Sequence, residues 1–202
     1  MTPYLLVTIL ALVTTTVLFW QVRHKRVFCA AIAMIFLMAS LALYHQFGNP
    51  DILPLLDDYK NNQEKARATV TSESETIKKD PKNLEAWIRL GQAFAELRQW
   101  KPAANAFKQT VLLSEGHPDL IMSYARAMIM DEDGKVSDAS KKSLEMVLLQ
   151  KPEHPEARYY MNVRLLQDGK TEDAMTAMKA LYKSLPDDSP VKAMINAQIG
   201  RR

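Results

Sequence analysis

The spacing of large and small side chains in residues 80–107 strongly limits the structures that this segment can form. Its large side chains recur at helical spacing and belong to Trp87, Leu90, Phe94 and Phe107. Gly91 and Ala103 are small enough to let two helices approach closely while the larger side chains fill the space between them. The segment therefore predicts two antiparallel helices joined by a turn near residues 99–101.

The same arrangement recurs later with a defined period. Pro152 and Pro186 are 34 residues apart, and residues 169–174, with the sequence GKTEDA, have the composition of a turn followed by a second helix. A helix–turn–helix unit of 34 residues with this pattern is typical of a tetratricopeptide (TPR) repeat. The spacing predicts one repeat starting near residue 80 and another starting near residue 152.

A degenerate repeat is predicted between these two. Residues 120–130 and 144–149 have helical apolar spacing, and residues 131–138 form a turn that is longer than usual. The sequence leaves the phase of this repeat uncertain by several residues. Residues 190–199 place apolar side chains on one face, as expected of a helix that caps the last repeat.

The first 47 residues have a different composition from the rest. Residues 4–22 and 27–47 contain no charged side chain, and nineteen helical residues are about 28 Å long, enough to cross a bilayer core. The loop 23–26 carries three firm positive charges and should stay in the cytoplasm. We therefore expect a two-pass hairpin in a bacterial inner membrane, with residues from about 48 onward in the periplasm.

The predicted fold is thus all-α, with a transmembrane hairpin followed by a TPR α-solenoid of about three repeats and a C-terminal capping helix. The hairpin covers residues 1–47, a linker and polar helix cover residues 48–79, and the periplasmic TPR domain covers residues 80–202. The sequence does not decide whether residues 57–79 form a weakly amphipathic helix or a flexible stalk.

Catalysis, metal binding and nucleic-acid binding have little support in the sequence. Cys29 is the only cysteine and lies in an apolar run, and the four histidines lack the spacing that places two imidazoles on one helix face. The acidic turn 131–134 does not fit a calcium loop, because the first ligand would be Ile129. A net charge of +3 with interleaved signs does not favour nucleic acid. We predict a non-catalytic protein with no cofactor.

A TPR array offers a concave surface formed by the first helix of each repeat, where a helical or extended peptide can bind. Ala95 and Glu156 are expected to face this surface, and Arg89, Arg126 and Arg158 could meet carboxylates of a partner, although solvated helix faces are the favoured explanation of these arginines. The candidate groove residues are Glu85, Ile88, Arg89, Gln92, Met122, Arg126, Arg158, Tyr159, Val163 and Leu166.

Several strings resemble the TPR subunits of the bacterial cytochrome c maturation machinery, the CcmI, CycH and NrfG proteins. They are DPKNLEAWIRLGQAF at residues 80–94, HPDLIMSYARAM at residues 117–128 and LLQKPEHPEARYYMNVRLLQDGKTEDAM at residues 148–175. The chain departs from the resemblance in two ways. The loop 23–26 is much shorter than that of some CcmI proteins, and residues 1–202 contain no CxxC motif of the kind found in the CcmH-type module that is fused in some relatives.

The resemblance implies a membrane-anchored chaperone that binds the C-terminal helical segment of apocytochrome c. It also implies that the chain presents this segment to haem lyase subunits of the CcmF and CcmH type, which would carry the chemistry. A TPR scaffold for another bacterial envelope complex is the alternative that the repeats alone leave open.

Overall fold

The computed structural model describes residues 35–36, 38–39 and 52–200. Contacts divide the chain into two units, residues 1–58 and residues 59–202. In the first unit, the described residues 35–36, 38–39 and 52–58 are all helical. No helix in the described part is long and apolar enough to cross a membrane. Of the predicted spans 4–22 and 27–47, the structure describes only residues 35–36 and 38–39. The hairpin therefore stays a prediction.

The described region from Ile52 onward is entirely helical apart from its turns. Its eight helices are α1 (Ile52–Lys79), α2 (Leu84–Glu96), α3 (Trp100–Leu113), α4 (Pro118–Asp131), α5 (Asp138–Gln150), α6 (Pro155–Gln167), α7 (Thr171–Ser184) and α8 (Pro190–Ile199). Helices α2 and α3 form repeat 1, α4 and α5 form repeat 2, and α6 and α7 form repeat 3. Each helix packs against the next from α2 to α7, as in a TPR solenoid.

Local residues explain where several helices begin. The Asn83 side chain accepts a hydrogen bond from the Ala86 amide at 2.9 Å and caps α2, and His154 Nδ1 accepts one from the Ala157 amide at 3.3 Å and caps α6. Helices α4, α6 and α8 start with proline, whose missing N–H is not needed in the first turn. The prolines seen in the sequence therefore mark helix starts as well as repeat boundaries.

Repeat 1 is built on a close contact between its two helices. Gly91 is buried in α2, and Phe107 of α3 is 6% exposed. A Cβ atom added at Gly91 would lie 2.7 Å from the Phe107 ring, so only glycine allows this approach. The predicted pairing of residues 80–107 is confirmed by this packing.

The main core joins repeats 2 and 3 to the last helix. Leu144, Met178 and Ile195 come from α5, α7 and α8, and each is fully buried in the same cluster. Met194 and Ile199 pack against that cluster from α8. The predicted capping helix over residues 190–199 therefore has the bounds and the apolar face that the sequence indicates.

The structure settles the segment before the repeats as a single helix. From residue 59 onward, α1 packs on repeat 1: Gln63 donates a hydrogen bond to the Glu96 carbonyl at 3.1 Å, and Glu73 pairs with Arg89 at 2.8 Å. Ala66 is 2% exposed at this contact. Residues 57–79 are thus helical, and residues 59–79 are tied to repeat 1 by side-chain contacts.

Candidate peptide-binding groove

A cleft of about 880 Å³ runs from the turn between α2 and α3 to the capping helix. Its apolar wall is formed by Ala95, Trp100, Met130, Tyr159, Val163, Leu166 and Met194. Its polar and charged lining includes Glu96, Arg98, Asp133, Gln167 and Gln198. A cleft of this size, with a mixed apolar and polar lining, can accept one side of an amphipathic peptide.

A second cleft of about 480 Å³ continues the first toward repeat 1. Ala95, Glu96 and Trp100 line both clefts, so the two form one surface, which we call the groove. Gln92 and Arg126 line the second cleft. Helices α2, α4 and α6, the first helices of the repeats, therefore all contribute side chains to the groove.

Tyr159 and Tyr160 form the floor where repeat 3 enters the groove. Their ring centroids are 5.2 Å apart with an interplanar angle of 66°, an edge-to-face contact that fixes both rings. Burial raises the pKa of the Tyr160 hydroxyl above its ordinary value, and the nearby Glu156 carboxylate acts in the same direction. Tyr160 is therefore neutral across the physiological range and presents a rigid, uncharged surface.

Arg126 links repeats 2 and 3 at the groove. Its Nε and Nη2 atoms donate to the two carboxylate oxygens of Glu156, each at 2.5 Å. Burial lowers the pKa of Arg126, but the hydrogen bond and the charge of Glu156 outweigh it, so this pKa is raised. The Arg126 cation is thus already neutralised by a carboxylate of the same chain.

The other two arginines singled out in the sequence are also paired within the chain. Arg89 contacts Glu73 of α1 at 2.8 Å and Glu85 at 2.5 Å, on the side of α2 that faces α1. Arg158 pairs with Glu153. Neither arginine lines the groove clefts.

Arg98 is a groove residue that sequence reasoning missed. It lies in the turn between α2 and α3, is exposed, and lines the larger cleft. Within residues 52–200, its guanidinium takes part in no ion pair, in contrast to Arg89, Arg126 and Arg158. Its position in the turn, two residues before Trp100, was the only signal available in the sequence.

The structure brings together about half of the predicted groove residues. Gln92, Arg126, Tyr159, Val163 and Leu166 line the clefts. The expectation for Met122 needs correction, because this side chain is 2% exposed and packs in the core. The residues that the clefts do not include are Glu85, Ile88, Arg89, Met122 and Arg158. Whether the lining residues bind a peptide stays a prediction.

Titratable side chains elsewhere in the described region serve contacts between repeats. Lys151 Nζ lies 2.8 Å from Asp119 Oδ1, and His154 lies 4.0 Å from the same oxygen. The hydrogen bond from Lys151 lowers the pKa of Asp119, and the charge of Lys151 adds to this effect. Among residues 35–36, 38–39 and 52–200, no group of three His, Cys, Asp or Glu side chains is placed to hold a metal ion.

The family described as "Cytochrome c-type biogenesis protein H TPR domain" matches residues 73–192, more than half of the chain. The chain belongs to this family. The resemblance to TPR subunits of the cytochrome c maturation system, drawn from the residues, is confirmed by this match and by the relatives below. The matched region begins within α1 and ends within α8, so it covers all three repeats and the groove apart from Met194 and Gln198.

Three relatives carry the same name, cytochrome c-type biogenesis protein CycH. The protein of Rhizobium meliloti (strain 1021) is 24% identical over 162 residues, which cover 79% of this chain and 42% of the relative. That of Pseudomonas aeruginosa is 20% identical over 169 residues, covering 84% of this chain and 42% of the relative. The chain therefore spans less than half the length of these relatives.

Solved structures support the solenoid fold. A crystal structure of MamA superposes with a TM-score of 0.52 at 17% identity, covering 62% of this chain and 72% of MamA. A second MamA structure gives a TM-score of 0.50 at the same identity. At this identity the likeness shows the all-helical repeat fold and nothing about function.

Proposed function

We propose that this protein is a non-catalytic TPR adaptor of cytochrome c maturation that holds the C-terminal segment of an apocytochrome c in its groove. The observation that carries the proposal is the groove itself, a cleft of about 880 Å³ with a mixed apolar and polar lining in a chain of the cytochrome c-type biogenesis family. Its wall is shaped for one apolar face of a peptide, as expected for the amphipathic C-terminal helix of a client.

The apolar and the polar side chains of the groove would make different contributions to peptide binding. Trp100, Leu166 and Met194 can remove apolar side chains of a peptide from water, which supplies most of the affinity. Gln198 also lines the cleft and offers a donor and an acceptor, which would fix the register of the peptide more than its affinity. Methionine at two positions of the wall would let the groove adapt to more than one client sequence.

The proposed setting is the periplasmic face of the bacterial inner membrane. Residues 4–22 and 27–47 would anchor the chain as a hairpin, and the short basic loop 23–26 would keep both termini on the periplasmic side. Anchoring would hold the captured segment close to membrane-embedded haem lyase subunits of the CcmF and CcmH type. The haem attachment chemistry would belong to those subunits.

Cells lacking the chain and complemented with variants test this proposal. Ala95 lines both clefts and is half-buried, so Ala95→Gln places a longer side chain at the junction of the groove without introducing charge. We expect this variant to accumulate normally in the membrane but to lower the amount of covalent haem in c-type cytochromes. Ala139→Gln, at an exposed position of α5 outside the clefts, is the matched control.

Two outcomes would count against the proposal. Normal haem attachment in cells without the chain would remove it from cytochrome c maturation. Loss of haem attachment on deletion but full rescue by Ala95→Gln would retain the maturation role and favour the alternative, a scaffold that uses other faces of the solenoid.

A further inference from the structure

The first helices of the three repeats end with the same backbone geometry. Arg98, Asp133 and Gly169 have positive φ angles of 55°, 52° and 78°. In each case this residue's amide bonds to the carbonyl three residues earlier, and the next amide bonds to the carbonyl five residues before it. The left-handed conformation therefore belongs to the repeat architecture and is required at all three helix ends.

The three residues differ in how well they tolerate that conformation. Glycine adopts a positive φ without steric cost, and aspartate does so more readily than most residues. Arginine has no such tolerance, because its Cβ atom crowds the following carbonyl oxygen. The end of α2 is thus the most strained of the three, although repeat 3 shows that glycine fits the same turn.

Contacts within the chain do not explain an arginine at this position. Across residues 52–200 the Arg98 guanidinium forms no ion pair, and it lines the groove beside Trp100. The other groove arginine, Arg126, is occupied by Glu156 through two hydrogen bonds. Arg98 is therefore the guanidinium of the described groove whose donors are available to a ligand.

The surroundings of Arg98 strengthen its interaction with an anion. Trp100 and Ala95 line the same cleft and would exclude water from one side of a bound carboxylate, where a lower dielectric constant strengthens the attraction between charges. A guanidinium can donate two parallel hydrogen bonds to one carboxylate. Glu96 and Asp133 line the same cleft and would repel a run of acidic residues, so the arrangement favours a single carboxylate beside an apolar face.

We propose that Arg98 is the specificity-determining residue of the groove and selects peptides that place one carboxylate next to their apolar face. The inference rests on the proposed function, because it assumes that a peptide occupies the groove. The carboxylate is either an Asp or Glu side chain or the C-terminus of the client. Both sources offer the same two oxygen acceptors to the guanidinium.

Peptide titrations of the full-length chain in detergent micelles distinguish these sources. The probe is the C-terminal segment, about 20 residues long and so about 30 Å as a helix, of a c-type cytochrome from the same organism. One version has an amidated C-terminus, and others replace each acidic side chain by its amide. The protein variants are Arg98→Gly, Arg98→Lys and the control Arg67→Ala, which removes an exposed arginine of α1.

We expect Arg98→Gly to weaken binding of the native peptide about tenfold, the size of one charge-assisted hydrogen-bonded pair. The peptide that lacks the recognised carboxylate should bind wild type and Arg98→Gly equally, and the version showing this identifies the source. Arg98→Lys should bind with intermediate affinity, because lysine keeps the charge but not the planar fork. Arg67→Ala should bind as wild type does.

Loss of fold cannot imitate this result, because glycine suits the backbone at position 98 and Arg98→Gly should unfold at no lower temperature than wild type. Equal affinity of wild type and Arg98→Gly for the native peptide would overturn the inference and leave the proposed function intact. If Arg98→Gly lost the same affinity for every peptide version, that result would also overturn the inference. Failure of wild type to bind any version would instead count against the proposed function itself.

Discussion

Arg126 of repeat 2 and Glu156 of repeat 3 form a bidentate ion pair between α4 and α6, with both nitrogen–oxygen distances at 2.5 Å. The Glu156 side chain is only 16% exposed, whereas that of Arg126 is 49% exposed. Removing the arginine would therefore leave a largely buried carboxylate without a cation. The pair therefore ties the first helices of repeats 2 and 3 together.

Arg126→Gln should lower the free energy of unfolding by about 1 kcal/mol, a modest value because solvent screens the half-exposed guanidinium. Urea denaturation followed by tryptophan fluorescence measures the change. The double variant with Glu156→Gln should recover part of the loss, because the buried charge is then gone. Strictly additive effects of the two substitutions would show that the pair contributes no coupling energy.

Gly91→Ala should destabilise the protein, although alanine in a helix interior normally stabilises by about 1 kcal/mol relative to glycine. The added methyl group would lie 2.7 to 2.9 Å from three atoms of the buried Phe107 ring. Overpacking of this kind costs about 1–3 kcal/mol, so it outweighs the gain in helix propensity. A melting temperature of Gly91→Ala below that of wild type would confirm the destabilisation.

Phe107→Leu in the same chain is the control for that clash. The smaller side chain should make Gly91→Ala neutral or stabilising in the double variant. A destabilising effect that persists without the ring would mean that something other than the Gly91–Phe107 contact limits residue 91.

Asp119 should make the stability of the protein sensitive to acid. The hydrogen bond and charge of Lys151 hold the pKa of Asp119 below its ordinary value in the folded state. Its contribution is therefore present above the ordinary aspartate pKa of about 4 and is lost as pH falls through the lower folded value. Melting temperatures of wild type and Asp119→Asn should differ at pH 6 and converge toward pH 3.

Asp188→Asn is the matched control, because within residues 52–200 this exposed aspartate forms no ion pair. Its melting temperature should follow that of wild type over the same range. A constant difference between wild type and Asp119→Asn from pH 6 to pH 3 would contradict the assignment of the acid sensitivity to Asp119.

Arg98→Gly should raise the free energy of unfolding by up to about 1 kcal/mol. The gain from relieving the left-handed conformation exceeds the extra chain entropy that glycine brings to the unfolded state. Asp133→Gly, at the equivalent position of repeat 2, should stabilise less, because aspartate tolerates a positive φ better. Urea denaturation of both variants tests the ranking, and a destabilised Arg98→Gly would contradict the strain at this turn.

Local patterns in the sequence predicted much of the fold. Trp87, Gly91 and Phe107 lie within one helix–turn–helix unit, so their spacing alone identifies repeat 1. The phase of repeat 2 was uncertain because a side chain of repeat 3 holds its long turn in place. Gln167 of α6 accepts a hydrogen bond from the Val136 amide at 3.1 Å and donates one to the Gly134 carbonyl at 3.2 Å. No residue near the turn signals this contact.

The groove was less predictable than the fold for a similar reason. Helical phase alone placed Arg89 among the candidates, but the helix α1 covers that side of α2 and supplies Glu73 as its partner. Met122 shares a face with exposed residues in a helical projection, yet the core of repeats 2 and 3 buries it. Arg98 lies in a turn, where helical periodicity carries no information about the direction of a side chain.

The central claim is that the groove holds the C-terminal segment of an apocytochrome c, and titration calorimetry of the full-length chain tests it most directly. The titrants are C-terminal peptides of the c-type cytochromes of the same organism, with scrambled sequences as controls. The account predicts sequence-dependent binding with a Kd in the micromolar range or tighter, about −8 kcal/mol, that Ala95→Gln weakens and Ala139→Gln does not. Absence of binding by every native peptide to a folded chain would contradict it.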